Sequence, residues 1–338
     1  MEKVNQQMKT YKNGLVIGKF YPFHKGHEYL IQTALDNSEK VTVIVCQTKK
    51  YKISAKTRAG WIKNTFPEAT VKIFNHDESL DSNSTEISKI WAEITVNFLG
   101  YIPDCVFSSE EYGTPYAKYM GSEHVLVDLP RHHVPISATK IRGNMVKNWN
   151  YLSSEAKAYF AKKIVVVGAE STGTTTLARE LAKKLNTTWV PEYGRTYYDG
   201  KMTGDQLNNW QTAEFVHIAN VQNKMEMALA KQANKVLICD TNSFATEIWH
   251  ERYVGTESKE VKRISLKTVA DLYIVTNTDI PFVQDGTRDG QHIRQKMHER
   301  FVEVLKERKQ NFIVVSGTIE KRVKESILQI NKIATSFV

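Results

Sequence analysis

The sequence predicts an α/β protein with two parallel-sheet domains. Short apolar runs typical of strands alternate with longer amphipathic stretches typical of helices, which is the pattern of βα units. A glycine-containing loop follows a predicted strand twice, once near residue 18 and again near residue 168. The chain has 338 residues, enough for two domains of ordinary size.

Apolar periodicity predicts the elements of the first half of the chain. Strands are expected at 14–17, 40–46, 70–74, 105–108 and 125–129, and helices at 28–37, 55–66, 87–99 and from within 134–142. The stretch 144–163 is rich in Trp, Tyr, Lys and Ala and indicates a helical connector. The βα pattern then restarts, so we predict two domains, 1–160 and 161–338.

The second half repeats the alternation of strands and helices. Strands are expected at 164–167, 235–239, 271–276 and 312–315, with long helices at about 205–233 and 292–310. A further amphipathic helix should follow the loop at 168–173, because Leu177, Leu181 and Leu185 would lie on one face of it.

Composition is that of an ordinary globular protein, with 41% hydrophobic and 25% charged residues. The chain has no apolar run of the roughly 20 residues that a membrane helix needs, and no apolar signal core at its start, so we expect a cytoplasmic protein. Cys46, Cys105 and Cys239 fall in or near predicted strands and should be reduced core residues. The net charge of +9 is dispersed, which favours small anionic ligands over nucleic acid.

One candidate site joins two distant motifs of the first half. Both lie just after predicted strands or at helix starts, where backbone N–H groups favour anions. An arginine one turn into the later helix could bind a phosphate through two hydrogen bonds. These residue types suit phosphoryl or nucleotidyl transfer, although a single histidine is often structural and Ser or Thr there could only cap a helix. The residues are His24, Gly26 and His27 in the first motif, and Ser137, Thr139 and Arg142 in the second.

A second candidate site begins at the loop 168–176. Its glycines, Gly168 and Gly173, follow a strand and precede a helix, as in a phosphate-binding loop. Thr174, however, stands where that motif carries lysine. Asp240 ends a later strand, where it could bind Mg²⁺ or accept a proton, or simply cap a turn. The loop 279–288 and the arginine that follows it could form a lid over phosphates.

The motifs of the first half resemble the nucleotidylyltransferase superfamily, and more closely the adenylyltransferase domain of the NadR family. The matching segments are 18–27 (GKFYPFHKGH), 107–110 (FSSE) and 136–142 (ISATKIR). The resemblance implies a Rossmann-like nucleotidylyltransferase fold that converts NMN and ATP to NAD and pyrophosphate. It implies catalytic roles for His24, His27 and Arg142. It further implies ATP contacts from Gly18, Lys19, Phe20, Gly26, Ser137, Thr139 and Arg142, and NMN contacts from Trp91 and Arg58, of which Trp91 could instead face the core and Arg58 could be solvated.

The second half resembles the ribosylnicotinamide kinase domain of the same family. The matches are Gly168-x-Glu-Ser-x-Gly, Glu192-Tyr-Gly-Arg, Asp240-Thr and Asp285-Gly-x-Arg. They imply a P-loop kinase fold that phosphorylates nicotinamide riboside with Mg²⁺ and ATP. By this resemblance Thr175 and Asp240 hold the metal and Asp240 serves the ribose hydroxyl. ATP contacts are implied for Gly168, Glu170, Ser171, Thr172, Gly173, Thr174, Thr175, Thr176, Arg288 and Arg294, and riboside contacts for Glu192, Tyr193, Arg195, Asp240 and Asp285. Three residues depart from the family pattern, namely Thr174, Asn242 and Phe282.

We therefore expect a bifunctional NAD-salvage enzyme whose ligands are ATP, NMN, nicotinamide riboside and NAD. Three alternatives remain open: a second domain that binds nucleotide without kinase turnover, a nucleic-acid-interacting ATPase, and an adenylyltransferase for another phosphate such as phosphopantetheine. DNA repression is not expected, because only 13 residues precede the first predicted strand. A homo-oligomer is compatible with the sequence.

Overall fold

The computed structural model describes residues 9–82, 84–201, 209–284 and 290–334. The chain divides into two compact units, Met1–Ala156 and Lys157–Val338. The sequence predicts this boundary near residue 160. None of the described helices combines the length and the apolar character that crossing a membrane requires.

The first unit is a parallel sheet with helices between its strands. In its described part five strands lie in the order β3-β2-β1-β4-β5, and all neighbouring pairs are parallel. Two 3₁₀ turns, Glu78–Asp81 and Trp149–Tyr151, interrupt the alternation. The elements are β1 Tyr11–Gly18, α1 Lys25–Asn37, β2 Ser38–Gln47, α2 Ala55–Thr65, β3 Thr70–Asn75, α3 Thr85–Leu99, β4 Cys105–Ser108, α4 Gly113–Met120, β5 Glu123–Leu126 and α5 Ala138–Gly143. Helix α6, Ser154–Phe160, contains the boundary between the two units.

The strand order of the first unit reverses between β1 and β4. The chain moves from β1 outward to β3, then returns to place β4 on the other side of β1. Such a reversal leaves a crevice beyond the carboxyl ends of the two strands, which is where ligands bind in open parallel sheets. Helix α1 starts in this crevice and covers the sheet with buried side chains at helical spacing, among them Leu30, Ile31, Ala34 and Leu35.

The second unit is also built on a parallel sheet. Its described strands lie in the order β10-β9-β6-β8-β7, with every neighbouring pair parallel. A 3₁₀ turn, Gln291–Ile293, leads into α12. The elements are β6 Lys162–Gly168, α7 Thr174–Lys184, β7 Trp189–Val190, α8 Tyr193–Lys201, α9 Thr212–Ala230, β8 Val236–Asp240, α10 Ser243–Val254, α11 Lys259–Ser265, β9 Leu272–Thr276, α12 Arg294–Glu307, β10 Phe312–Val315 and α13 Ile319–Ile333.

Strand β6 is the centre of the second unit and is buried on both faces. Val165 and Val167 pack into one apolar layer, and Ile164 and Val166 into the other. Such two-sided burial explains why this strand is a continuous apolar run rather than an alternating one. The predicted fold class, α/β with two parallel-sheet domains, is confirmed.

Several helices were not predicted individually, chiefly α4, α10, α11 and α13. Helix α10 begins with a run that is buried on every side, Ser243 to Ile248, so it lacks the amphipathic period that sequence inspection detects. The helix expected at about 205–233 is observed from Thr212 to Ala230, and the interval 202–208 lies outside the described residues. The three cysteines are buried and unpaired, as expected.

Candidate active sites

The crevice beyond β1 and β4 contains a cavity of about 410 Å³. It combines residues from the loop after β1, the 3₁₀ turn, helix α3 and the start of helix α5. The two motifs separated by more than a hundred residues in sequence therefore meet at one site. Of the residues expected to bind ATP or NMN in this unit, those that line the cavity are Gly18, Lys19, Phe20, His24, Gly26, His27, Trp91, Ser137, Thr139 and Arg142.

His24 caps helix α1 and faces the cavity. Its Nδ1 accepts hydrogen bonds from the backbone N–H groups of Gly26 (3.1 Å) and His27 (3.4 Å), so the ring proton of the neutral imidazole lies on Nε2. Burial, together with the nearby positive charges of Arg131 and Arg142, lowers the pKa of His24 to about 3. The imidazole is therefore a neutral Nε2–H donor at pH 7.

His27 stacks on His24 with ring centroids 3.7 Å apart. Burial, followed by the neighbouring His24 and Arg131, holds the pKa of His27 well below its usual range. Its buried Nδ1 has no hydrogen-bond partner among the described residues of the unit. A buried ring nitrogen without a partner at the wall of a cavity suits a ligand contact.

Arg142 lines the cavity from helix α5. Its Nη1 donates to the carbonyl of Tyr21 (2.5 Å) and its Nη2 to the Thr139 hydroxyl (3.0 Å). Ser137 caps helix α5 by accepting a hydrogen bond from the N–H of Lys140 (3.2 Å). The helix-cap alternative is therefore correct for Ser137, and the cap still leaves the residue on the cavity wall.

A charged cluster that the sequence does not predict also lines the cavity. Asp81, in the 3₁₀ turn, lies 2.9 Å from Lys19 Nζ and 3.1 Å from His76 Nε2, and also pairs with Lys50. Although burial opposes it, these partners hold the pKa of Asp81 far below its usual range. Lys19, expected to meet phosphate, is thus held by a carboxylate. No motif identified Asp81, because it lies in a polar loop without periodicity.

Trp91 and Arg58 occupy different environments. The Trp91 indole is half-buried on the cavity wall, donates from Nε1 to the carbonyl of Leu80 (2.9 Å) and meets the His76 ring edge-to-face at 5.0 Å. Arg58 is fully buried and does not line the cavity. Its guanidinium donates to the carbonyls of Ile53 (3.1 Å), Cys46 (3.0 Å) and Lys19 and to the Gln47 amide oxygen.

The sequence predicts that Arg58 either contacts NMN or is solvated. The structure corrects both expectations, because Arg58 is buried and does not line the cavity. Arg58 braces the loop after β1 from inside the fold. Arg131, which the sequence analysis did not select, lines the cavity instead. It bridges Glu110 (3.0 Å) and the carbonyl of Ile136 (2.6 Å), and its position just after a predicted strand was the available signal.

The loop between β6 and α7 in the second unit has the shape of a phosphate-binding loop. Ser171 and Gly173 adopt positive φ values of 55° and 81°. The Thr172 hydroxyl is buried and bonds the Ala169 carbonyl (2.6 Å) and the Thr276 hydroxyl (2.7 Å). Gly168 passes so close to Thr276 that a Cβ there would lie 2.1 Å from its hydroxyl oxygen.

Asp240 lies beside this loop at the carboxyl end of β8 and is 1% exposed. Burial raises its pKa to about 6, against the opposing effects of the Thr175 hydroxyl and Arg179. Its Oδ1 has no hydrogen-bond partner among the described residues. Burial and the negative charges of Asp240 and Glu170 raise the pKa of Glu192 to about 8. In the described ranges no three His, Cys, Asp or Glu side chains form a group that could hold a metal.

The other residues predicted to bind ATP or riboside in the second unit lie in different environments. Arg294 is buried, and its Nη2 donates to the carbonyls of Ser171 (3.2 Å) and Ile280 (3.0 Å). Tyr193 bonds His217 (3.2 Å) through its hydroxyl, while Arg195 pairs with Asp199 (3.3 Å). Asp285 and Arg288 lie outside the described residues.

The structure shows the surroundings of the three residues that depart from the NadR family pattern. Asn242 is fully buried and caps α10 by accepting a hydrogen bond from the N–H of Phe244 (3.2 Å), and its side-chain amide donates to the Tyr273 hydroxyl (3.3 Å). Phe282 lies under the guanidinium of Arg294 at 5.7 Å. Thr174 is the first residue of α7.

Two family models match parts of this chain. An AAA domain model matches residues 163–322, and a model of the citrate lyase ligase C-terminal domain matches residues 13–85. Among solved structures, NadR protein in complex with NAD and AMP-PNP superposes with a TM-score of 0.71 at 18% identity, covering 99% of both chains. NadR protein in complex with NR gives a TM-score of 0.72 at 19% identity, covering 98% of both chains.

Two curated relatives extend the match to almost the whole chain. The trifunctional NAD biosynthesis/regulator protein NadR of Escherichia coli is 31% identical over 329 residues, which cover 92% of this chain and 80% of the relative. Its counterpart from Salmonella typhimurium is 31% identical over 321 residues, which cover 89% and 78%. Identity at this level over this length confirms the resemblance inferred from the motifs, and the chain belongs to the NadR family.

Proposed function

We propose that this protein is a bifunctional NAD-salvage enzyme. Its first unit is an NMN adenylyltransferase, and its second unit is a ribosylnicotinamide kinase that makes NMN for the first. The observation that carries the proposal is that each unit gathers phosphate-directed groups at the carboxyl edge of its sheet. In the first unit these groups are His24, His27 and Arg142, which line one cavity. In the second unit they are Thr175 and Asp240, beside the phosphate-binding loop. Because both reactions consume ATP, we place the enzyme in the cytoplasm.

In the first unit the phosphate of NMN attacks the α-phosphorus of ATP. The new P–O bond forms as the bond to pyrophosphate breaks, so no covalent enzyme intermediate is needed. The Nε2–H of His24 and the cation of Arg142 stabilise the charge that develops on the phosphates. Trp91 provides an aromatic face of the cavity for the nicotinamide ring.

In the second unit the 5′-hydroxyl of nicotinamide riboside attacks the γ-phosphorus of ATP. Asp240 accepts the hydroxyl proton as the bond to ADP breaks. Burial raises the pKa of this carboxyl to about 6 in the metal-free site, so it is ionised at pH 7 and able to accept a proton or to meet a cation. The Glu192-Tyr-Gly-Arg motif assigns Glu192, Tyr193 and Arg195 to the riboside.

Magnesium enters with ATP as part of the substrate. A buried carboxylate oxygen of Asp240 without a partner, beside the Thr175 hydroxyl, fits a hard cation that prefers oxygen ligands. Asp240 and Thr175 would hold the ion there, and the ion would supply positive charge against the phosphates. The chain itself contributes the orientation of the Thr175 hydroxyl at the start of α7.

The two activities are separated by their products, because the kinase releases ADP and the adenylyltransferase releases pyrophosphate. With NMN and Mg-ATP, the His27→Ala variant should lose roughly 10²–10³-fold in pyrophosphate release while keeping ADP release from nicotinamide riboside. Asp240→Asn should do the opposite, with a loss of roughly 10²–10⁴-fold in ADP release.

Asp271→Asn is the matched control for Asp240. Asp271 pairs with Lys162 (3.3 Å) in the same unit, at the other end of the sheet. Wild-type protein that forms NAD from NMN but releases no ADP with the riboside would refute the kinase assignment. That result would support the second candidate, a nucleotide-binding unit without turnover, which the threonine at position 174 specifically favours.

A further inference from the structure

An arginine that no motif selected lies beneath the phosphate-binding loop of the second unit. Arg322 is in the first turn of α13 and is 2% exposed. Its guanidinium has four acceptors. They are the carbonyls of Thr172 (2.6 Å), Gly317 (3.0 Å) and Asn277 (3.4 Å) and a carboxylate oxygen of Asp279 (2.5 Å).

These acceptors belong to three different loops at one edge of the sheet. Thr172 is in the loop after β6, Asn277 and Asp279 follow β9, and Gly317 follows β10. The second carboxylate oxygen of Asp279 accepts from the N–H of Gly317 (2.5 Å). A planar guanidinium with fixed donor directions can join several acceptors at once, which a lysine ammonium on a flexible stem cannot do in the same geometry.

The contact at Thr172 fixes the direction of a peptide group. In a trans peptide the carbonyl of Thr172 and the N–H of Gly173 point in opposite directions. A donor that holds the carbonyl on the outer side of the loop therefore holds the N–H on the inner side, where a phosphate would bind. A positive charge on the carbonyl also polarises the peptide and strengthens its N–H as a donor.

The neighbouring peptide is held in the same manner. Arg294 donates to the carbonyl of Ser171 (3.2 Å), and the Ser171 hydroxyl accepts from the N–H of Val283 (2.8 Å). Two buried arginines thus engage consecutive carbonyls of a loop whose lysine position holds Thr174. Arg322 does not replace that lysine as a phosphate contact, because its donors already face carbonyls and a carboxylate.

We infer that Arg322 is a positioning residue that holds the phosphate-binding loop of the second unit in its nucleotide-binding shape by engaging the Thr172 carbonyl. Only the kinetic test of this inference depends on the proposed kinase function. It predicts that loss of the arginine weakens ATP binding and leaves the riboside side of the site intact.

The test compares Arg322→Lys with Arg308→Lys in the full chain. Arg308 is a matched control, because it is also largely buried in this unit and pairs with a carboxylate, that of Glu247, at 2.6 Å. Its side-chain hydrogen bonds are made to Glu247 in α10 and Ser265 in α11, and not to the phosphate-binding loop. Asp279→Asn is a second variant, which weakens the support of Arg322 without removing the arginine.

Three measurements are made on each variant: kinase kcat and KM for ATP and for riboside, adenylyltransferase activity, and amide exchange of the peptide covering 168–176 with and without Mg-ATP. For Arg322→Lys we expect a fall of roughly 10- to 100-fold in kcat/KM for ATP, because misplacing binding groups by about 1 Å costs that much. We expect an unchanged KM for riboside and loss of the ATP-dependent protection of the loop. Asp279→Asn should change in the same direction by less.

The amide-exchange readout separates the two proposals. The kinase assignment fails if the wild-type protein forms no ADP from riboside. The positioning role still stands in that case if ATP protects the wild-type loop from amide exchange and Arg322→Lys abolishes this protection. The positioning role is overturned if Arg322→Lys affects ATP kinetics or loop protection no more than Arg308→Lys does. It is also overturned if KM for riboside rises as much as KM for ATP, or if ATP protects no part of the wild-type loop.

Discussion

Gly168 provides a sharp test of the packing around the phosphate-binding loop. In Gly168→Ala the added Cβ would lie 2.1 Å from the Thr276 hydroxyl oxygen, 2.8 Å from the Thr172 hydroxyl oxygen and 3.2 Å from the Thr276 carbonyl oxygen. Real Cβ atoms essentially never approach another heavy atom closer than 3.0 Å, so the Thr276 hydroxyl must move by about 0.9 Å. It cannot move freely, because Thr276 is completely buried.

The expected cost has two sources. Forcing a methyl group into a packed interior costs roughly 1–3 kcal/mol. Moving the Thr276 hydroxyl also breaks its 2.7 Å hydrogen bond with the Thr172 hydroxyl. That loss costs roughly 0.5–1.5 kcal/mol, because the Thr172 and Thr276 hydroxyls each keep a carbonyl acceptor, Ala169 and Val167 respectively. We therefore expect Gly168→Ala to lower the free energy of unfolding of the second unit by about 1.5–4.5 kcal/mol.

A double-mutant cycle isolates this contact. Thr276→Ala removes the oxygen that the new methyl group meets, so Gly168→Ala should cost less in that background, with a coupling of roughly 1–3 kcal/mol. Urea unfolding of the four proteins measures it, and ADP release from riboside reports the state of the loop. Gly200→Ala is the control, because Gly200 lies in α8 and a Cβ there meets nothing within 4 Å.

Additive effects of the two substitutions would refute this reasoning. So would a Gly168→Ala protein as stable as the Gly200→Ala control. Either result would mean that Gly168 is not confined by Thr276, and that the loop has more room than its described contacts imply.

Three further predictions concern charge and stacking. Thr174→Lys adds the missing cation and should raise kinase kcat/KM by roughly ten-fold or more, and an unchanged rate would show that the site needs no cation there. Glu192 binds more protons in the folded state, since its pKa is raised from 4.5 to about 8, so the second unit should lose stability as pH rises through that interval. Mg²⁺ should restore more stability at the upper end of the interval, and Glu192→Gln should flatten the pH dependence of thermal unfolding. Trp91→Ala should raise KM for NMN by roughly ten-fold while KM for ATP stays constant, and equal increases in both would assign Trp91 to packing.

The sequence was most informative where one physical requirement fixes a residue type. A buried parallel strand requires a continuous apolar run, and a phosphate-binding loop requires small residues before a helix, so β6 and the loop after it were recognisable. The same holds for the segment around His24, Gly26 and His27, which all line the observed cavity. These features depend on neighbours in sequence and leave a local pattern.

Residues that act through distant partners left no such pattern. Arg58 was assigned to NMN, yet it is buried and joins carbonyls of separate segments, which a lone arginine in a helix does not reveal. Asp81 lies in a polar loop, and Arg322 lies in a helix rich in charged residues, so both look like ordinary surface positions. Their importance comes from tertiary placement, because a buried charge must find partners wherever the fold provides them.

The support of the loop by Arg322 also has a consequence for the order of events during synthesis. The Thr172 carbonyl and the arginine that holds it are separated by 150 residues of chain. A ribosome therefore completes the loop long before it adds the side chain that orients it. The contact that we infer to hold the loop can therefore form only late in translation, whereas the residues that line the cavity of the first unit, which end at Arg142, are synthesised well before that point.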